Sequence, residues 1–165
     1  MMLRALVIGS SSGLGEALLS DLRSRGIKSF GHSRIDRDGY DLIGDASSRG
    51  FPEKLSTFVQ SRKVNLVFFC AGSYSKGTSR DVSRGEALKS FHDNLLSGIQ
   101  TISALSRAWT KERAGKLVII NSVASLKPTR NESLYGAMKS ALSYFAKSAR
   151  LEGIEHGLQI VEIFP

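Results

Sequence analysis

Three residues in the second half of the chain carry side chains that could together move a proton. Ser122 follows a short apolar run, and Tyr135 and Lys139 lie four residues apart, a spacing that puts both on one face of a helix. Tyrosine has an unperturbed pKa of about 10, and a neighbouring ammonium group favours the phenolate and lowers that pKa. A serine hydroxyl beside such a pair can hold a substrate oxygen. The pattern is typical of acid–base chemistry on an alcohol or a carbonyl.

Each of these residues also has an ordinary structural explanation. Tyrosine and lysine at this spacing are common on exposed helix surfaces, and the serine is of a type that often caps a helix or forms a turn after a strand. Taken one at a time, Ser122, Tyr135 and Lys139 therefore leave a structural interpretation open.

A glycine-rich turn follows the first apolar segment of the chain. From Gly9 to Gly15 the sequence is Gly-Ser-Ser-Ser-Gly-Leu-Gly, and it opens a predicted helix. Such a turn lets backbone N–H groups approach a phosphate closely, and the helix N-terminus adds roughly half a positive charge. Ser11 and Ser12 add hydroxyl donors. The turn lacks the Gly-Lys-Ser/Thr of a P-loop and departs from Gly-x-Gly-x-x-Gly, so a purely structural turn is the alternative to phosphate binding.

Strands and helices are predicted to alternate along the chain. Short apolar runs indicate strands at 3–8, 27–32, 40–43, 66–70, 117–120 and 159–164. Apolar residues at three- and four-residue spacing indicate helices from Leu14 to near Gly26 and at 51–60, 85–112 and 134–151. The apolar stripe of the third helix comprises Leu88, Phe91, Leu95, Ile99, Ile102 and Leu105. The stripe of the fourth comprises Met138, Ala141, Leu142, Phe145 and Ala149.

This order of elements predicts one α/β domain over residues 1–165. Apolar strands separated by amphipathic helices favour a parallel sheet of about six strands with helices on both faces, a doubly wound, Rossmann-like fold. Ligands of such sheets bind at the carboxyl ends of the strands. The residues that follow Ile8, Cys70, Ile120 and Phe164 are therefore expected to share one edge of the sheet.

The ordered set of motifs resembles the short-chain dehydrogenase/reductase family over essentially the whole chain. The family's Thr-Gly-x-x-x-Gly-x-Gly is similar to Ile8–Gly15, and its Asn-Asn-Ala-Gly is similar to Phe69–Gly72. Its helix asparagine resembles Asn94, its catalytic serine resembles Ser122, and its Tyr-x-x-x-Lys resembles the segment from Tyr135 to Lys139. The step of 13 residues from Ser122 to Tyr135 is also the usual family spacing.

The resemblance implies a reaction and a role for each matched residue. It implies hydride transfer between a nicotinamide cofactor and a small carbonyl compound or secondary alcohol, with the hydride supplied by the nicotinamide. Tyr135 would be the general acid/base, and Lys139 would lower its pKa and bind the nicotinamide ribose. Ser122 would stabilise the developing oxyanion, and Asn94 would place a water in a proton relay. The implied cofactor-binding residues include Gly9, Ser11, Ser12, Gly13, Leu14, Gly15, Ala71 and Gly72, together with Tyr135 and Lys139.

The residues after the second strand favour NADP(H) over NAD(H). NAD enzymes place an acid at the end of this strand for the ribose hydroxyls, whereas NADP enzymes use a basic or small polar residue. By resemblance the position falls on Ser33, followed by Arg34, a hydroxyl and a guanidinium suited to a 2′-phosphate. Asp36, about 20 residues beyond Gly15, is a rival that would favour NAD. Asp45-Ala46 resembles the family's acid-led segment that holds the adenine edge.

The composition excludes several other classes of protein. The chain of 165 residues has 41% hydrophobic and 23% charged residues, which argues against disorder. Because no apolar run approaches the length of a membrane span or a signal peptide, a cytoplasmic protein without membrane partners is expected. The single cysteine, Cys70, allows neither an internal disulfide nor a cysteine metal cage, and it is expected to be a buried core thiol. The net charge of +8 is spread along the chain, which indicates a basic surface rather than a nucleic-acid site.

Several departures from the family pattern bear on function. Ile8 replaces the motif threonine and Cys70 replaces an asparagine. The interval from Arg34 to Asp45 is too short for the usual helix between the second and third strands, so one sheet face is expected to be poorly covered. The family's substrate loop, lid helices and last strand would follow Pro165, so the chain is expected to be a fragment or a shortened form.

These departures leave two functions and one assembly question open. The first function is an NADP(H)-dependent oxidoreductase, and the alternative is a catalytically impaired or regulatory dinucleotide-binding protein that retains the fold. The helices at 85–112 and 134–151 resemble the family's subunit-pairing helices, so a homo-oligomer is expected.

Overall fold

The computed structural model describes residues 2–153 and 156–165. These residues form a parallel six-stranded sheet in the order β3-β2-β1-β4-β5-β6. The strands are β1 (Arg4–Ile8), β2 (Lys28–Ser33), β3 (Leu42–Ile43), β4 (Leu66–Phe69), β5 (Gly115–Ile120) and β6 (Leu158–Ile163). The helices are α1 (Gly13–Ser24), α2 (Phe51–Arg62), α3 (Arg84–Ser90), α4 (Ser97–Ala108) and α5 (Ser133–Gly153). The predicted doubly wound α/β fold is confirmed.

Helices cover the two faces of the sheet unequally. On one face α2, α4 and α5 bury the main apolar core, in which Leu6, Leu105 and Leu142 are fully buried. On the other face Leu19 and Leu22 of α1 pack against alternate residues of β1. As expected from the short interval after Arg34, the described residues between β2 and β3 form no helix. In the segment between β2 and β3, the side chain of Tyr40 packs on this second face of the sheet.

The helix predicted at 85–112 is interrupted and ends earlier than expected. A π-helical segment, Phe91–Leu96, separates α3 from α4, and α4 ends at Ala108. Trp109 turns into an extended conformation because its indole packs on Gly115, and its Nε1 donates a hydrogen bond to the Val64 carbonyl. Leu88, the first residue of the predicted stripe, is exposed.

The remaining differences from prediction lie at the ends of elements. The strand predicted at 40–43 is shortened to Leu42–Ile43, and the strand predicted at 66–70 ends at Phe69. The helix predicted at 134–151 is longer at both ends and corresponds to α5, Ser133–Gly153. Ala141 of its predicted stripe is exposed, whereas Leu142, Ala146 and Ala149 are buried. No helix in the described part of the chain combines the length and apolarity that crossing a bilayer requires.

Candidate active site

The glycine turn lies directly against the end of β4. Gly9 has φ of +80°, and a Cβ there would fall 2.6 Å from the backbone nitrogen of Ala71. A Cβ at Gly15 would fall 2.2 Å from the Gly9 carbonyl oxygen, so α1 can begin this close to β1 only with glycine. Ser12 occupies the N-cap of α1 without a side-chain hydrogen bond. The first amide groups of α1 are therefore available to an anion.

A cleft of about 270 Å³ opens at the carboxyl ends of β1, β2 and β4. It is lined by ten residues predicted to bind the cofactor: Gly9, Ser11, Ser12, Gly13, Leu14, Gly15, Arg34, Asp45, Ala71 and Gly72. Ala46, predicted with Asp45 for the adenine edge, also lines it. Five further residues line it that were not assigned to the site from the sequence: His32, Cys70, His92, Asp93 and Ser97. Because the glycine turn and the ends of three strands share one cavity, the chain has a cradle suited to a dinucleotide.

The pair predicted to hold a 2′-phosphate is divided by the geometry of β2. Arg34 lines the cleft, but Ser33 is 2% exposed and its Oγ accepts a hydrogen bond from the Ile35 amide. Side chains alternate between the two sides of a strand, so His32 and Arg34 share the side from which Ser33 is excluded. Asp36 is exposed and is not part of the cleft lining.

Arg34 lies in a small cluster of charges at the mouth of the cleft. Its Nη1 is 3.8 Å from Oδ1 of Asp93, and the Lys89 ammonium donates a hydrogen bond to Oδ2 of the same carboxylate. Partial burial raises the pKa of Asp93. Hydrogen bonds from Lys89 and Ser73 and the nearby positive charges lower it by more, so the pKa lies below its usual value. A carboxylate thus competes for the guanidinium that would face an anionic ligand.

Gly72 joins this cleft to the acid–base residues. It lines the cleft, and a Cβ there would fall 2.8 Å from Oδ1 of Asn94 and 3.6 Å from Nζ of Lys139. Asn94 lies within the π-helical segment and is fully buried. Its Oδ1 accepts a hydrogen bond from the Ser73 amide, and its Nδ2 donates to the Ser73 carbonyl and to Oγ of Ser90. Asn94 therefore holds the loop after β4, while its predicted part in a proton relay stays a prediction.

Lys139 is a buried cation beside Tyr135. The residue is 4% exposed, its Nζ donates a hydrogen bond to the Ile120 carbonyl at 3.3 Å, and the same Nζ lies 5.8 Å from the centre of the Tyr135 ring. Burial lowers the pKa of Lys139 to about 8, with a smaller opposing effect from Cys70. Burial also raises the pKa of the Cys70 thiol to about 11, so this thiol is protonated at neutral pH and is a poor nucleophile.

Ser122 and Tyr135 lie on elements that pack against each other. The Ser122 side chain caps a 3-10 turn, Val123–Ser125, by accepting a hydrogen bond from the Ala124 amide. A Cβ on Gly136 would lie 3.0 Å from the Ala124 carbonyl oxygen, which brings the start of α5 against this turn. The structure thus brings the serine turn to the helix that carries Tyr135 and Lys139.

Two polar residues behind the acid–base group were not found from the sequence. Asn121 is buried, and its Nδ2 donates hydrogen bonds to the Lys139 carbonyl and to Oε2 of Glu162. Oε1 of Glu162 accepts a hydrogen bond from Ser143 of α5. The only sequence signal is the position of Asn121 at the end of a buried strand, whereas its pairing with Glu162 is a contact across 41 residues.

The comparisons with known proteins agree with this arrangement. A family model described as "short chain dehydrogenase" matches residues 4–165. The chain belongs to the short-chain dehydrogenase family. The family resemblance expected from the sequence is therefore confirmed, and the family's enzymes are oxidoreductases that use nicotinamide cofactors.

Relatives with 21–27% identity to this chain illustrate the family match. The chain is 26% identical to an uncharacterised short-chain type dehydrogenase/reductase, y4eK, from Sinorhizobium fredii. The alignment covers 98% of this chain and 68% of y4eK. The chain is 27% identical to the 3-oxoacyl-(acyl-carrier-protein) reductase FabG of Buchnera aphidicola, covering 71% of that protein. A Burkholderia cenocepacia short-chain dehydrogenase solved with NADP superposes with a TM-score of 0.84 at 21% identity, covering 99% of this chain and 72% of that one.

Proposed function

We propose that this chain is an NADP(H)-dependent oxidoreductase that interconverts a small carbonyl compound and a secondary alcohol. The observation that carries the proposal is the position of Gly72. This residue belongs both to the wall of the glycine-turn cleft and to the group formed by Asn94 and Lys139. A ligand extended along the cleft from Arg34 would therefore end beside Tyr135 and Lys139.

The residues of the cleft suit the phosphate groups of a dinucleotide. The glycine turn offers the free amide groups of α1 to the diphosphate, and Ser11 and Ser12 add hydroxyl donors. Arg34 is a cation at the mouth of the cleft and suits a 2′-phosphate. The NADP complex of the Burkholderia relative supports the same preference. Asp45 lines the same wall and would face the adenine side.

The acid–base residues divide the proton chemistry between them. When bound, the nicotinamide ring would supply or accept the hydride. In the reductive direction Tyr135 gives its hydroxyl proton to the substrate oxygen, and the Lys139 ammonium stabilises the phenolate that remains. Oγ of Ser122 accepts a hydrogen bond from the Ala124 amide, which leaves its own O–H available to donate to the substrate oxygen. Lys139 also binds the ribose hydroxyls, and Asn94 supports the proton relay.

The proposal is tested first by cofactor binding. Calorimetric titrations with NADPH and with NADH should show tighter binding of NADPH, and Arg34→Ala should remove most of the difference. Turnover is then measured with a panel of ketones and aldehydes, with Tyr135→Phe as the variant that retains binding and loses activity. Equal binding of both cofactors would overturn the NADP preference. Tight NADPH binding without turnover of any carbonyl compound would favour the regulatory alternative.

We also propose that the chain self-associates through its long helices. The proposal is supported by large side chains that α5 leaves exposed, Tyr144 and Leu151. Light scattering on the purified chain should give a mass above 17.9 kDa, and Tyr144→Glu should shift it toward the monomer. A monomeric wild-type chain at micromolar concentration would overturn this.

A further inference from the structure

The imidazole of His32 connects two walls of the cleft. Its Nδ1 accepts a hydrogen bond from the Gly9 amide at 3.1 Å, and its Nε2 lies 2.8 Å from the Gly44 carbonyl oxygen. Since a carbonyl only accepts, Nε2 must carry the ring proton. His32 is 1% exposed and packs edge-on against Phe51 at 5.2 Å between ring centres. The side chain is thus held at both nitrogens in one neutral tautomer.

The two hydrogen bonds of the His32 ring join the glycine turn to the segment on the opposite wall of the cleft. Gly9 is the first residue of the glycine turn, and Gly44 directly precedes Asp45 on the opposite wall. The backbone around His32 is fixed as well, because its amide donates a hydrogen bond to Oγ of the fully buried Ser10 at 2.8 Å. A change in the imidazole would therefore move the turn relative to the segment beginning at Asp45.

We propose that His32 is a positioning residue for the dinucleotide, whose neutral Nε2–H tautomer fixes the glycine turn against the Gly44–Asp45 segment. This inference rests on the proposed function, because it assigns His32 a part in binding the same cofactor. His32 acts through Gly9 and Gly44, and it makes its contribution before the cofactor arrives. The bound shape of the cleft is then already present in the free protein, which lowers the cost of binding.

The charges around His32 agree with a neutral ring. Burial lowers the pKa of His32 to about 4, and the positive charges of Arg34 and Lys54 act in the same direction. The bond to the Gly44 carbonyl and the charge of Asp45 oppose the shift and are outweighed. At neutral pH the ring therefore offers Gly9 a free lone pair, which an imidazolium would lack.

The tautomer is tested by nitrogen-15 NMR of the wild-type chain without cofactor. We expect His32 to show the Nε2–H pattern at pH 7 and to stay neutral when the pH is lowered to 5.5. An Nδ1–H tautomer, or an imidazolium at pH 5.5, would overturn the inference. Because no ligand is present, this result is independent of whether the chain binds NADPH.

The positioning role is tested by NADPH binding to three variants, each measured well below its own melting temperature. His32→Phe keeps an aromatic ring against Phe51 and loses both hydrogen bonds, so we expect its Kd for NADPH to rise at least tenfold. His32→Asn keeps an acceptor near Nδ1 and should recover part of that loss, whereas His156→Phe should bind like the wild type. Binding by folded His32→Phe within twofold of the wild type would overturn the role of His32. Failure of the wild type itself to bind NADPH would instead overturn the proposed function.

Discussion

The cluster of Arg34, Lys89 and Asp93 gives a quantitative prediction about cofactor preference. A hydrogen bond between charged groups contributes about 1.5–3 kcal/mol when it is well sheltered. The Arg34 side chain is 68% exposed, so solvent screening reduces the contribution of its bond to a 2′-phosphate to about 1–1.5 kcal/mol. Arg34→Ala should therefore weaken NADPH binding roughly 5- to 15-fold and leave NADH binding nearly unchanged.

Asp93 should act in the opposite direction. Its carboxylate, 17% exposed at the side chain, lies 3.8 Å from the guanidinium and lines the same cleft. It therefore competes with the phosphate for Arg34 and repels the phosphate directly. Removing its charge in Asp93→Asn should tighten NADPH binding by up to about fivefold, the equivalent of about 1 kcal/mol for a partly exposed pair.

A double-mutant cycle separates these two effects. Calorimetry with NADPH and NADH is run on the wild type, Arg34→Ala, Asp93→Asn and the double variant, at two salt concentrations. The part of the Asp93 effect that acts through Arg34 should disappear in the Arg34→Ala background, and all effects should shrink at higher salt. Equal weakening of NADPH and NADH by Arg34→Ala would refute the assignment of Arg34 to the 2′-phosphate. Such a result would instead indicate a contact with the diphosphate common to both cofactors.

Three further predictions concern the chemistry and the glycine turn. Tyr135→Phe should lower turnover at least a thousandfold while NADPH affinity stays within twofold, as checked by steady-state kinetics and calorimetry. Lys139→Met should abolish turnover yet raise the melting temperature by roughly 2–6 °C at pH 7, because it removes a buried ammonium. Lys139 loses its proton near pH 8 in the folded chain and near pH 10.5 in the unfolded chain. The gain in melting temperature should therefore decline as the pH rises from about 8 to 10.5. Gly9→Ala should destabilise the fold by about 2–3 kcal/mol in urea titrations, since its Cβ would meet the Ala71 backbone. As the control for this third prediction, Gly39→Ala outside the turn, at φ of +86° but in open space, should cost only about 1 kcal/mol.

The features that could be predicted from the sequence are those that depend on local geometry. Tyr135 and Lys139 share a helix face because they are four residues apart, and the Lys139 Nζ lies 5.8 Å from the centre of the Tyr135 ring. The glycine turn follows from the residue types that a tight strand-to-helix connection requires, and Gly9 indeed has a positive φ. The order of strands and helices follows from apolar periodicity in the same way.

The features that could not be predicted depend on contacts between distant segments. Asp93 faces Arg34 across 59 residues of sequence, and Asn94 of the π-helical segment pairs with Ser73 across 21 residues. The assignment of Ser33 shows a different limit, because Ser33 at the end of β2 and Arg34 directly after it were both expected to face one ligand. Side chains alternate along a strand, and the structure has His32 and Arg34, but not Ser33, in the lining of the cleft.

Burial of the Lys139 ammonium lowers the stability of the fold, and this loss helps to distinguish an enzyme from a protein that only binds a dinucleotide. Burial depresses the pKa of this ammonium, so the folded chain is less stable at neutral pH than it would be with an apolar residue there. Nearby Asn121 is buried, with an Oδ1 that has no hydrogen-bond partner among the described residues. In a protein that only held a dinucleotide, Lys139 would still bind the ribose hydroxyls, but that contact requires no tyrosine beside the ammonium. Here Nζ of Lys139 lies 5.8 Å from the centre of the Tyr135 ring, and a cation in that place stabilises a phenolate that forms during a reaction. The pairing of Tyr135 with a buried ammonium therefore favours catalysis over binding alone.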